Sequence, residues 1–428
     1  MRSPYKKQFL LIVLVVLTGQ LTFAQVKIGS PYSRFGIGDL ARNSSIINMG
    51  MGGTSLSFSS PLYINTANPA SYAAFDSTSF VFEGSVYGKL STLRTDKLSQ
   101  QSSYASLGSL LFGFPVTRWW KSSLGLLPFT NMGYKITDTQ TENPTGKTEF
   151  SYSGSGGISQ FYLGNAFKLH KNLSVGVNAA FLFGPLNKEQ SVTYPDSAFM
   201  FGTKITTTTH VQDILLSYGL LYRKTYNTDR FIAAGLTFSN SQNIKGTDDY
   251  LATTFTRNYI VGYDNIKDTV LYRPGFTSNI KLPTSVGLGI SMGRTDRWLT
   301  AADFRMQDWS KFRYNDQTDS LRNSFEVSAG TQFRPSYADV GNYFGRIQYR
   351  FGVRYAQTYL QLQNSRLKET AVSFGLGLPL KKSRSTFNLA VEAGKRGTTS
   401  NGLIQENFVR VSFGVSFYER WFIQRKYD

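Results

Sequence analysis

Cysteine is absent from this 428-residue chain, and histidine occurs only twice, as His170 and His210. Without cysteine there are no disulfides, no thiolate chemistry and no sulfur-linked lipid anchor. With two histidines, a Ser/His hydrolase lacks a convincing base and orienting partner, and no transition-metal set can be assembled. Gly36-Ile37-Gly38 imitates a dinucleotide fingerprint and Gly146-Lys147-Thr148 the end of a phosphate loop, but neither has the strand-to-helix setting that gives such motifs meaning. Both read as turn glycines, so no enzyme, cofactor or metal is expected. Also missing after the N-terminus is any run of about 18 uninterrupted apolar residues, which excludes helical membrane spans.

What is present is alternation. Val409, Val411, Phe413, Val415 and Phe417 interleave with Arg410, Ser412, Gly414 and Ser416. The same pattern runs through Val372 to Leu378 and through Val286 to Met292. Side chains in a strand switch faces at every residue, so one face is nearly all Val, Leu, Ile and Phe and the other Gly, Ser, Asn and Arg. A lipid-facing wall around a polar lumen requires that division. The first residues supply a route to a membrane: Arg2, Lys6 and Lys7 precede the apolar run Phe9 to Leu17, and Thr22-Phe23-Ala24 offers small residues for cleavage before Gln25. Residues 1–24 are therefore a signal peptide, and an outer membrane of Gram-negative type is the expected destination. The net charge of +19 falls to +16 when those three cations leave. After export the nearest anions are lipid head groups and lipopolysaccharide rather than nucleic acid.

Turn signals divide residues 78–418 into fourteen strands, followed by a tail at 419–428. Connections after even-numbered strands are mostly short, such as His170-Lys171-Asn172 and Asn227-Thr228-Asp229. Those after odd-numbered strands are often long, including stretches expected as loops at 185–201 and 245–280. Short turns at one rim and long loops at the other are the asymmetry of an outer-membrane barrel. Trp119, Trp120, Trp298 and Trp421 fall at the short-turn rim, expected to be periplasmic, and Trp309 at the other. The expected fold is all-β, a 14-stranded antiparallel transmembrane β-barrel.

Residues 25–77 lack a sustained period but carry Phe35, Ile37, Leu40, Ile46, Ile47 and Leu56, too apolar for a solvated leader. A compact plug in the barrel mouth would shelter them. Within this stretch, Gly50-Met51-Gly52-Gly53-Thr54 followed by Asn65-Thr66-Ala67-Asn68-Pro69-Ala70 resembles the FadL-type outer-membrane transporters of long-chain fatty acids and hydrocarbons. The resemblance implies an N-terminal hatch, hydrophobic small-molecule substrate entering from outside, and a kink in the third strand that opens a lateral path. By resemblance, Gly52, Gly53, Asn68, Pro69 and Ala70 belong to the hatch, with Asn68 to Ala70 near the opening. The residues themselves point to the same strand, because Pro128 in the middle of a wall strand cannot donate to a ladder. The chain departs from the family by continuing past its last strand to Asp428, and no ligand-contact residue maps across.

Alternation also places Arg346, Arg350 and Arg354 in the lumen, with Asp303, Arg305, Glu326, Glu392 and Arg410 on neighbouring strands. They form either a basic ladder that draws in an acidic head group or a paired network joining hatch to wall, and the second is expected because buried charge is normally paired. The function expected is passive uptake of a hydrophobic, long-chain fatty acid-like compound. The alternative is a barrel that partners other proteins in secretion or envelope assembly.

Overall fold

In the computed structural model, residues 29–420 are described apart from 43–44, 144–145, 198–199, 228, 259–262, 320, 337–341 and 382. The signal peptide, Trp421 and most of the tail lie outside these residues. Fourteen antiparallel strands close into a barrel, the last, Gln405–Arg420, pairing with the first, Ser79–Arg94, from Ser79↔Arg420 to Arg94↔Gln405. The second strand is Ser99–Pro115 and the third is split into Trp120–Pro128 and Thr130–Asn143. Gly146–Gly156 and Ser159–Lys168 make the fourth, Leu173–Thr193 the fifth and Gly202–Tyr226 the sixth. The seventh comprises Arg230–Ser239 and Gln242–Asn258, the eighth Tyr263–Leu282 and Ser285–Arg294. Trp298–Gln307, Ser324–Phe333, Gln348–Leu362, Ser365–Pro379 and Thr386–Arg396 are the ninth to thirteenth.

Alternation becomes geometry along each strand. Val372, Ile290 and Phe413 are more than half exposed, whereas Ser373, Ser291 and Ser412 are buried. So much apolar surface on a soluble molecule would drive association; around a barrel it is covered by lipid. Backbone conformation fits the turns too: Gln363 and Asn364 both have positive φ in the two-residue link between the eleventh and twelfth strands, as a tight hairpin requires. Trp119, Trp120 and Phe167 cluster at the short-turn rim with ring centroids about 6 Å apart.

Three expectations are corrected. Residues 245–280 are not a loop: Gln242–Asn258 and Tyr263–Leu282 form a long paired hairpin. Residues 185–201 are mostly strand as well, since the fifth strand runs to Thr193. These extensions stand beyond the lipid, where neither face needs to be apolar, so alternation gives no signal. Trp309 is not an interfacial anchor. It is 3 % exposed, stacked on Tyr359 at 4.5 Å and packed on Phe312.

The N-terminal residues run inside the wall. A 3-10 turn at Pro31–Arg34, a short helix at Ile46–Met49 and a second 3-10 turn at Pro69–Ala74 are joined by irregular chain. The wall strands meet this chain with glycine. A methyl group on Gly235 would lie 1.9 Å from the Leu56 carbonyl oxygen, and one on Gly352 would lie 2.0 Å from the Gly52 nitrogen. Backbone therefore packs on backbone, a contact no larger residue allows.

Candidate functional site

The third strand is broken where the sequence places Pro128. Trp120–Pro128 pairs with the second strand over Leu110–Pro115 and with Ser159–Lys168 on its other side. Beyond Phe129 the strand leaves the second strand. Thr130–Asn143 pairs with Gly146–Gly156, and among the described residues its ladder partners on the other side are limited to Asp39↔Asn131 and Leu40↔Thr130. Among the described residues, Ser99–Ser109 of the second strand has a ladder on its first-strand side alone. The break has a local cause beyond proline. Phe129 and Thr130 both donate to the Ile158 carbonyl, at 2.8 and 3.0 Å, and Gly156, Gly157 and Gly184 take positive φ in the two strands alongside. A crease thus crosses three strands at one level.

The chain's own N-terminal residues stand in this gap. Gly29 and Ser30 donate to the Gly133 carbonyl at 2.8 and 3.1 Å, and Ala41 donates to the Phe129 carbonyl at 2.9 Å. On the opposite bank, Ser102 Oγ donates to the Gly29 carbonyl at 3.4 Å. Behind the gap lies a cavity of about 500 Å³, within the range of small-molecule sites. Leu127, Pro128, Phe129 and Met132 form its apolar side, and Arg42, Glu326, Glu369 and Arg410 its charged side.

The inward charges are joined into one network that ties the N-terminal chain to the wall. Arg42 reaches Glu369 at 2.5 Å and Glu392 at 2.8 Å, and Arg354 reaches the same two carboxylates at 2.9 and 2.6 Å. Arg305 pairs with Glu326 at 2.9 Å, while Asp303 accepts from the Ser55 and Leu56 nitrogens at 2.6 and 2.9 Å. Nearer the gap, Arg396 holds Asp39 at 3.0 Å, Lys89 holds Glu406 at 2.6 Å, and Ser30 Oγ donates to Glu406 at 2.8 Å. Cations and carboxylates in this set are equal in number, Arg410 completing the pairing against Glu392 at 3.7 Å. Acid and base cancel, so the network clamps rather than attracts.

Each predicted residue can now be placed. Arg354, Asp303 and Glu326 are members of the network. Arg350 faces inward and is fully buried, but its guanidinium donates to the side chains of Gln332, Asn388 and Gln348 rather than to a carboxylate. Arg346 is not a wall charge: it ends the helical turn Tyr343–Arg346, before the eleventh strand begins at Gln348, and lies over the Tyr343 ring. Gly52 and Gly53, both at positive φ, sit across the lumen from the break; Gly52 donates to Ser373 Oγ at 2.8 Å. Asn68 caps the turn Pro69–Ala74 by accepting from the Ala70 nitrogen, and it donates to the Leu56 and Leu220 carbonyls. Gly219 of the sixth strand packs against Asn68 and Pro69, and Gly176 of the fifth against Pro69 and Ala70. Asn68, Pro69 and Ala70 are thus set away from the break, which Gly29, Ser30 and Asp39 to Ala41 occupy instead.

Sequence reasoning missed Arg42 and Glu369. Glu369 was within reach, since it falls on the inward set with Ala371, Ser373 and Gly375, but Arg42 lies in a segment without periodicity.

A sequence model of the BamG family matches residues 6–428. The chain belongs to the BamG family. Among solved structures, it is similar to the toluene transporter TodX of Pseudomonas putida, at 18 % identity over 90 % of this chain and 100 % of that one, with a TM-score of 0.59. The toluene transporter TbuX of Ralstonia pickettii matches at 13 % identity over 89 % and 99 %, TM-score 0.58, and the monoaromatic hydrocarbon channel CymD at 14 % over 90 % and 99 %, TM-score 0.57. No curated protein matches this chain. The BamG-family chain therefore has the fold of FadL-type barrels, whose solved members here are channels and transporters.

Proposed function

We propose that this BamG-family barrel is an outer-membrane channel for passive uptake of small hydrophobic compounds. Its long-stranded rim faces outward and its short-turn rim the periplasm. The observation that carries the reading is the break at Phe129 with a cavity directly behind it. A compound in that cavity reaches the bilayer sideways once the N-terminal residues at Gly29 to Ala41 withdraw, so those residues act as a hatch. The monoaromatic substrates named for TodX, TbuX and CymD are of the size such a cavity holds. Because the cations lining the cavity, Arg42, Lys89, Arg305, Arg396 and Arg410, all face carboxylates of the network, a neutral hydrocarbon suits it better than a fatty acid carboxylate. Uptake of a radiolabelled monoaromatic hydrocarbon by intact cells should depend on the chain. Equal uptake with and without it would remove the proposal.

A second reading is favoured by the close packing of the N-terminal chain on wall glycines. A lumen so filled also suits a barrel that serves as a partner in protein secretion or envelope assembly. An uptake-silent chain whose loss disturbs outer-membrane protein content would support it.

A further inference from the structure

The positive surplus of the sequence is not consumed by the lumenal network, in which bases and acids are equal in number. It is displayed at the short-turn rim. The turns after the second, fourth, eighth and twelfth strands expose Arg118, Lys171, Arg297 and Lys381, and Arg230 is exposed where the seventh strand begins. Backbone bonds tie several of these turns together, Arg223 to the Asn172 carbonyl, Thr295 to that of Asp229 and Arg334 to that of Arg297, each at 2.7 Å. Among the described residues the acids of this rim are few, and apart from the exposed Glu419 they are engaged. Asp229 accepts from Arg294, Asp296 faces Arg334 at 3.8 Å, and Asp76 takes the Tyr418 hydroxyl at 2.6 Å. The opposite rim is mixed: Lys204 and Arg257 share Asp264, Lys311 holds Asp308, and Asp96 stands beside Lys97.

We propose that the short-turn rim is a docking surface for a periplasmic protein with an acidic face. A surplus of like charge set around the mouth focuses a field below it and steers an oppositely charged body onto it. Anionic lipid head groups are the competing source of negative charge. They approach from the lipid side, where alternation places Lys224, Arg230 and Arg294, the last already engaged by Asp229. Arg118, Lys171 and Lys381 instead sit in the turns, off the end of the wall, where a leaflet encircles the mouth but does not cover it. The rim fits a body that caps the barrel from below. This holds whether or not the lumen conducts.

The test is photo-crosslinking in the native outer membrane, with a photoreactive residue at His170 or Thr295, on separate turns, and at Asp96 as the opposite-rim control. The expected result is one protein of the same mass and an acidic isoelectric point captured from both His170 and Thr295 but not from Asp96. Its yield should drop by about tenfold or more when Arg118→Glu, Lys171→Glu and Lys381→Glu are combined, and stay unchanged with Lys97→Glu and Lys267→Glu. Heat-modifiable gel mobility of each variant verifies that the barrel has folded. Adducts with lipid alone, capture that survives charge reversal, or no capture from a folded barrel would each overturn the proposal.

Discussion

Removing the Arg42 guanidinium should release the N-terminal chain without unfolding the wall. Arg42 bridges Glu369 and Glu392, whose side chains are 11 % and 4 % exposed. Arg42→Met keeps most of the side-chain volume and leaves both carboxylates leaning chiefly on Arg354, with Arg410 at 3.7 Å from Glu392. Breaking a buried pair by deleting one partner costs about 3–5 kcal/mol, and the lower end applies here because Arg354 still reaches both acids. A loss of about 3 kcal/mol corresponds to roughly a hundredfold rise in the opened population. Amide hydrogen exchange reads this directly: residues 29–42 should lose about a hundredfold in protection while the wall strands keep theirs. Adding Glu392→Gln removes one of the stranded charges and should restore part of the protection, a coupling that a merely steric defect would not show. Unchanged exchange at residues 29–42, or equal acceleration in wall and lumen, would refute the clamp.

Gly235→Val should expel the chain at Leu56, because its first carbon alone would stand 1.9 Å from a carbonyl oxygen; protease cleavage near Leu56 in the folded barrel is the readout, and resistance equal to wild type would contradict it. Pro128→Val should leave the wall at least as stable and reduce hydrocarbon uptake, since it restores a ladder donor and a β-branched residue at the break; normal uptake would dissociate transport from the proline. Asp264 stands beyond the membrane at the end of the long hairpin; burial raises its pKa, but hydrogen bonds from Arg257 and Lys204 outweigh this and hold it below the usual carboxylate value. A depressed carboxylate stabilises above its unfolded pKa and loses that contribution as pH falls through the folded one, so protection at this tip, taken relative to the intrinsic exchange rate at each pH, should fall below about pH 4, and a pH-independent protection factor would speak against the clasp. Cysteine at Asn364 should label on intact cells and cysteine at Thr295 only after the outer membrane is breached; the reverse order would invert the proposed orientation.

The wall was legible because lipid imposes a rule on every second residue. Val372 to Leu378 and Val409 to Phe417 declare both strand and outward face before any coordinate is known. The rule stops where lipid stops, which is why residues 263–280 were taken for loop: exposed on both faces along most of this length, they have little reason to alternate. The break was legible in Pro128, a residue with no place in a continuous ladder, yet its occupants were not. Asn68, Pro69 and Ala70 form a recognisable motif but serve to cap a turn against Gly176 and Gly219. Gly29, Ser30 and Asp39 carry no motif, because what holds them is pairing with Thr130, Asn131 and Gly133, a hundred residues away in sequence. Arg42 escaped for the same reason: its partners lie on the tenth, twelfth and thirteenth strands. Long-range pairing in an aperiodic segment leaves no local trace.

The central claim is that the N-terminal chain gates a lateral opening at the third strand. Leu40 pairs with Thr130 across that opening, and the chain has no cysteine of its own, so Leu40→Cys with Thr130→Cys creates a single reversible staple. The decisive measurement is hydrocarbon uptake by cells carrying this double variant, oxidised and then reduced. The account predicts that uptake falls to the level of cells lacking the chain when the staple is closed and returns on reduction. Equal uptake in both states would show that nothing leaves through the break.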